Sequence, residues 1–129
     1  MVEKRILVVD DDASIIELLR DLLVSHGYAV ECADCATTAL DLVREHIFDA
    51  ALLDFDLPDM SGVMLHRSIR QMDEELAANT LFVSGQAQSD DNLGYYSTFG
   101  VGFLSKPFSI EEVVDALEAL WNADEPVGS

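Results

Sequence analysis

The chain has 129 residues, half of them hydrophobic and 25% charged, enough apolar material for about one folded domain and too much for a disordered segment. Its 25 acidic residues outweigh 7 basic ones for a net charge of −18. That balance argues against nucleic acid and anionic membrane surfaces as partners and favours divalent cations and basic or apolar surfaces.

Arg5 to Val9 reads as a β-strand running into Asp10-Asp11-Asp12, with Asp12 as N-cap of the next segment. The apolar run stops at Asp10, too soon for a signal peptide, and no run approaches a membrane span, so a cytoplasmic domain without membrane contact is expected. Ile15, Leu18, Leu19 and Leu22 recur at helical spacing within 13–25, and Gly27 closes that helix. Ile16 and Leu23 widen the stripe beyond the needs of one sheet face and are expected to be partly exposed, open to a partner helix.

Tyr28 to Ala33 reads as a second strand, and Ala36 to His46 as a second helix with Ala39, Leu40 and Val43 inward. Cys32 and Cys35 form a C-x-x-C at that junction. Two thiols make at most half a zinc site, and nothing nearby in sequence completes it, so both read as small half-buried residues. His26, His46 and His66 show no ligand spacing.

Asp49 to Leu53 is the third strand, with Asp54 at its end and a turn rich in Pro, Asp, Ser and Gly behind it. Ser61 to Met72 is a third helix anchored by Val63, Leu65 and Ile69, and Asp73 to Asn79 is a polar linker. Thr80 to Ser84 forms a fourth strand, broken by Gly85. A fourth helix is expected over 89–99, weakly patterned because Gly94, Tyr95, Tyr96 and Thr98 are indifferent or poor helix formers. Phe103 to Ser105 is the fifth strand, ending in Lys106-Pro107. Ser109 and Glu112 make a capping box for a helix to Trp121 that buries Val113, Val114, Leu117 and Leu120. The domain is expected over 1–122, with 123–129 a disordered tail or the start of a linker.

Five strands alternating with five helices predict an α/β fold, a single (βα)5 doubly wound parallel sheet with right-handed crossovers. The flavodoxin-like order 2-1-3-4-5 follows by analogy. All strand carboxyl ends then share one edge, the usual place for chemistry in such sheets. That edge receives Asp10 and Asp11 from the first strand, Asp54 from the third, Ser84 from the fourth and Lys106 from the fifth. Converging carboxylates repel unless a hard divalent cation sits among them, and Mg²⁺ (or Mn²⁺) is held by one or two carboxylates with carbonyls and waters. A carboxylate nucleophile, a divalent cation, a lysine and a hydroxyl are together a set for accepting a phosphoryl group on Asp54.

The chain resembles the response-regulator receiver domains of two-component signalling, including the chemotaxis receivers, from about Lys4 to Leu120. The matching motifs are Val8-Val9-Asp10-Asp11, Leu53-Asp54 with Leu57-Pro58-Asp59-Met60-Ser61-Gly62, Val83-Ser84-Gly85 and Lys106-Pro107-Phe108. The resemblance implies Asp54 as phosphoacceptor in a phosphorelay, with Asp11 and Asp54 as metal ligands beside the main-chain carbonyl of Asp56, and Asp10 acting largely through metal-bound water. It implies that Ser84 and Lys106 grip the phosphoryl oxygens and that Phe103 is the switch aromatic. Asp56 and Gln86 occupy positions that influence hydrolysis of the acyl phosphate. The chain departs from the family where Ser84 replaces the commoner Thr, where Phe103 lacks a tyrosine hydroxyl, and over Gln88 to Thr98 and Gly100 to Phe103.

The partners implied are a histidine kinase or histidine phosphotransfer domain upstream and an unknown effector downstream. A phosphoryl group adds about −1.5 to −2 of charge. It would switch the face made by the fourth helix, fifth strand and fifth helix, which also offers a phosphorylation-dependent dimer surface. Tyr95, Tyr96 and Trp121 lie near that face. The domain is not expected to be an enzyme beyond catalysing its own phosphorylation and dephosphorylation. Two alternatives remain. Asp54-Phe55-Asp56 is a D-x-D like that of haloacid-dehalogenase phosphohydrolases, although Pro58 and the early acidic pair fit that family poorly. A receiver that only docks, without phosphorylation, is the other. A stand-alone receiver and a piece of a longer response regulator or hybrid kinase are equally open.

Overall fold

A computed structural model describes residues 3–55, 57–84, 102–105 and 108–123. In chain order the elements are β1 (Arg5–Val9), α1 (Ala13–Ser25), β2 (Ala29–Ala33), α2 (Ala36–Glu45), β3 (Ala50–Asp54), α3 (Gly62–Met72), α4 (Glu74–Ala78), β4 (Thr80–Ser84), β5 (Gly102–Ser105) and α5 (Ile110–Ala123). The five strands form one sheet in the order β2-β1-β3-β4-β5. Every neighbouring pair is parallel. This is the doubly wound, flavodoxin-like sheet expected from the alternation.

Strand side chains alternate between two cores. Leu7, Val9, Ala51, Leu53 and Phe82 face α2, α3 and α4. Ile6, Val8, Ala50, Leu52, Leu81, Val83 and Leu104 face α1 and α5. All five residues of β3 are buried, as a central parallel strand covered on both faces requires.

α1 begins at Asp12, whose Oδ1 accepts from the Ser14 amide at 2.9 Å. It ends in a Schellman turn. Gly27 sits at φ 91°, its N–H donating to Val24 O and that of Tyr28 to Leu23 O, both at 3.0 Å. Tyr28 is therefore part of the cap, and β2 starts one residue later. The inward face of α1 is rotated from the expected one: Leu23 is fully buried and Leu18 is 49% exposed, while Ile15, Leu19 and Leu22 face the core and Ile16 is partly exposed, as expected. At about 100° per residue, Ile15, Leu19 and Leu23 define the inward line and Leu18 falls well to one side of it.

In α3, Leu65 and Ile69 are buried as expected, but Val63 is only half-buried and His66 joins the core. The His66 ring lies 5.5 Å from Phe82, and its Nε2 donates to Ala77 O at 2.8 Å. The segment expected as a polar linker contains α4. Asp73 caps it by accepting from the Leu76 amide at 3.1 Å, Glu74 and Glu75 occupy its first turn, and Leu76 and Ala77 are buried.

The capping box of α5 is formed, with the Ser109 amide donating to Glu112 at 3.2 Å and the Glu112 amide to Ser109 Oγ at 3.1 Å. Val113 and Leu117 are buried. The helix runs two residues past its expected end at Trp121. Trp121 Nε1 donates to the Tyr28 hydroxyl at 3.1 Å, and Lys4 Nζ lies 4.4 Å from the indole centroid. The expected fourth helix, with Tyr95 and Tyr96, and the tail over 124–129 lie outside the described residues.

Candidate functional site

The site is built where the two central strands end. In the β1–β3 register Val9 stands beside Leu53, which brings the following residues, Asp10 and Asp54, to the same carboxyl edge. One carboxylate oxygen from each of Asp10, Asp11 and Asp54 lies within 4.8 Å of the other two. Asp10 and Asp54 are 2% and 6% exposed, while Asp11 is exposed and opens the cluster to solvent. Asp10 is fixed through both its main chain and its side chain. Its N–H donates to Ala33 O at 3.1 Å, and its Oδ1 accepts from the Asp12 amide at 2.9 Å. Asp12 itself serves α1 as cap and stays out of the cluster.

Three like charges this close repel one another, and all their donor atoms are hard oxygens. That donor set suits a divalent ion of the Mg²⁺ type, which takes a few carboxylates and keeps positions for water or substrate oxygen. The described residues therefore fit the expected cation, with Asp10, Asp11 and Asp54 as the residues that would hold it.

The turn after Asp54 is closed tightly. The Gly62 amide donates to Phe55 O at 2.8 Å. A Cβ added at Gly62 would stand 2.4 Å from Asp54 O and 3.0 Å from Phe55 Cα. Only glycine lets the first turn of α3 sit on the backbone of the acid, while Ser61 caps that helix through the Met64 amide. At the outer end of the same turn, Asp59 accepts hydrogen bonds at 2.9 Å from the amides of Ala36 and Thr37 and at 2.8 Å from the Thr37 hydroxyl. The Ala36 amide first, then the Thr37 hydroxyl and amide, lower the Asp59 carboxyl from 3.8 to about 2.

Of the remaining residues, Ser84 closes β4, one position beyond the Asp54–Val83 pair. Phe103 lies in β5 beside Phe82, half-buried and packed against the core under α2 and α3. Ser105, which precedes Lys106, ends β5 in register with Ser84. Asp56, Gln86 and Lys106 lie outside the described residues. Cys32 and Cys35 are half-buried free thiols, and burial first of all pushes the Cys32 thiol above its ordinary 9.0, with Arg20 opposing. Sequence reasoning assigned no role to Asp59 or Gly62. A signal was present for Asp59: α2 begins at a cysteine, a poor N-cap, so its amides needed an acceptor from elsewhere.

The family model of the response regulator receiver domain matches residues 6–118. The chain belongs to that family. This receiver domain is 33% identical over 122 residues to the response regulator MprA of Mycobacterium sp. strain KMS, a match covering 95% of this chain and 52% of that protein. To the response regulator protein TodT of Pseudomonas putida strain F1 it is 31% identical over 114 residues, covering 88% of this chain and 49% of the relative. It thus spans about half the length of both. Among solved structures, a CheY-like receiver domain from Methanospirillum hungatei JF-1 superposes with a TM-score of 0.86 at 30% identity, covering 94% of this chain and 96% of the other. The non-phosphorylated HemR receiver domain of Leptospira biflexa superposes at 0.84 with 33% identity, covering 96% and 98%. Among the described residues no helix is long and apolar enough to cross a membrane.

Proposed function

We propose that this receiver domain accepts a phosphoryl group on Asp54 from the phosphohistidine of a histidine kinase or histidine phosphotransfer domain. The observation that carries the reading is a nearly buried Asp54 sharing a 4.8 Å cluster with Asp10 and Asp11 at the carboxyl edge of the sheet. An Asp54 carboxylate oxygen forms the new O–P bond as the P–N bond to the donor imidazole breaks, and the freed imidazole nitrogen takes a proton from water. Mg²⁺, or Mn²⁺ in its place, held by Asp10, Asp11, Asp54 and the main-chain carbonyl of Asp56, would neutralise charge on the transferred oxygens.

Lys106 and Ser84 are assigned to the phosphoryl oxygens. Ser84 and Phe103 are assigned to the switch, which alters the face made by 89–99, β5 and α5 toward an effector or a second copy. Asp56 and Gln86 tune the lifetime of the acyl phosphate. The domain acts in the cytoplasm and turns over nothing but its own phosphate.

Incubation with Mg²⁺ and acetyl phosphate tests this, read by intact-protein mass. One acyl phosphate is expected on the wild type and none on Asp54→Asn. Labelling of Asp54→Asn would overturn the site assignment, and steady hydrolysis of a phosphomonoester would favour a phosphohydrolase instead.

A further inference from the structure

We infer that Asp59 is a positioning residue for the phosphoacceptor, holding the turn between β3 and α3 in place by capping α2 from outside that helix. The inference rests on the Asp54 reading above. Cys35, at the N-cap of α2, makes no capping bond to the helix amides, and its thiol lies 3.3 Å from Thr38 Oγ1 instead. The acceptor comes from Asp59, 23 residues further along the chain from Ala36. Its Oδ1 takes the Ala36 amide, and its Oδ2 takes the Thr37 amide and hydroxyl. An anion suits a helix N-terminus, where unpaired amides and the helix dipole both favour negative charge.

The bond pattern makes this more than a helix cap. Asp10 and Asp54 each follow directly on Val9 and Leu53, the last pair of the β1–β3 ladder, which is the first path between them. They are also connected around a second path. Asp10 N–H is bonded to Ala33 O at the end of β2, and α2 starts three residues on. Asp59 then bonds the first amides of α2, and the turn carrying Asp59 returns to Phe55 through the Gly62 amide. Asp59 is the link in this second path that comes from a side chain. Without it, the outer end of the turn loses its hydrogen bonds to α2 and is left with the packing of Leu57 and Met60, while the β3–β4 ladder at Asp54 remains. The depressed carboxyl of Asp59 is in keeping with a permanently ionised link.

The experiment compares wild type, Asp59→Ala and Asp59→Asn, the last keeping one acceptor oxygen. Amide exchange at Ala36 and Thr37 reads the cap. Mg²⁺ titration followed by amide shifts, and the rate of labelling by acetyl phosphate, read the site. In Asp59→Ala, exchange at both amides and the Mg²⁺ dissociation constant should each rise, and labelling should slow, by about tenfold. Asp59→Asn should fall between the two, and its ordering carries the test should the alanine variant fail to fold. Faster exchange with unchanged Mg²⁺ affinity and labelling would overturn the inference and leave Asp59 as a cap of α2 alone. Failure of the wild type to take any label would instead overturn the Asp54 reading, and the Mg²⁺ titration would still decide whether Asp59 positions the acidic cluster.

Discussion

Gly62→Ala adds a single methyl group where the first turn of α3 meets the backbone of Asp54. The new Cβ would meet Asp54 O at 2.4 Å, Phe55 Cα at 3.0 Å and Asp54 C at 3.2 Å, all of them backbone atoms. Ordinary contact needs roughly 3.5 Å, so α3 and the end of β3 must part by roughly 1 Å. Parting them loosens Leu65 and Ile69, both fully buried against the sheet. Overpacking of this kind costs about 1–3 kcal/mol, and the gain from replacing helical glycine by alanine offsets at most about 1 kcal/mol. The expected net loss is about 1–2 kcal/mol, read as a lower urea midpoint at unchanged slope. Because the displaced atoms belong to Asp54, labelling by acetyl phosphate should also slow by up to about a hundredfold. Gly27→Ala is the control. Its Cβ meets nothing within 4 Å, and the cost comes only from φ 91°, about 1 kcal/mol with labelling unaffected. A Gly62→Ala protein as stable and as quickly labelled as the wild type would refute the reasoning.

His66 gives a pH signature. Burial, against the opposing Ala77 carbonyl and with Arg70 adding to it, lowers its folded value below the ordinary 6.5. The unfolded chain therefore binds the proton more readily. The stability that His66 contributes is complete above 6.5 and is lost as pH falls from there through the folded value. Urea midpoints between pH 5.5 and 7.5 should fall less steeply with acid in His66→Gln, which keeps a donor for Ala77; parallel curves would count against it. The Asp59 carboxyl, followed by carbon NMR, should titrate near 2, and a midpoint near the ordinary 3.8 would mean that its bonds to α2 are not held in solution. Tyr28→Phe removes the acceptor of the Trp121 indole. It should cost about 1 kcal/mol and alter the emission of the sole tryptophan; an unchanged spectrum would show that the pair is not formed.

The sheet and its acidic edge were legible because both rest on local signals. A strand that stops at an acid announces itself in Val9-Asp10 and Leu53-Asp54, and β1 and α1 have the expected bounds. α4 was missed because five residues hold too few apolar positions for a period, although Asp73 followed by Glu74 and Glu75 was a readable start signal. Leu18 and Leu23 exchanged roles because a stripe wider than one helix face has no unique centre until it meets a sheet. Asp59 could not be read from its neighbours, since its partners Ala36 and Thr37 belong to another element and no sequence period links them. The burial of His66 depends likewise on Phe82 and Ala77, supplied from outside its own helix.

The strand order also bears on how the chain reaches this state. β1 lies between β2 and β3, so both its edges are satisfied only by residues that follow it, one after α1 and the other after α1, β2 and α2. Closing such loops precedes any stabilisation from the pairing, which makes parallel sheets slow to assemble. During synthesis Asp10 and Asp11 emerge long before Asp54, and the full acidic cluster cannot exist until β3 has docked beside β1. The cation binding proposed above would then mark the docked central sheet. An ion that needs all three acids is expected to slow unfolding more than it speeds folding, which stopped-flow refolding and unfolding with and without Mg²⁺ would check.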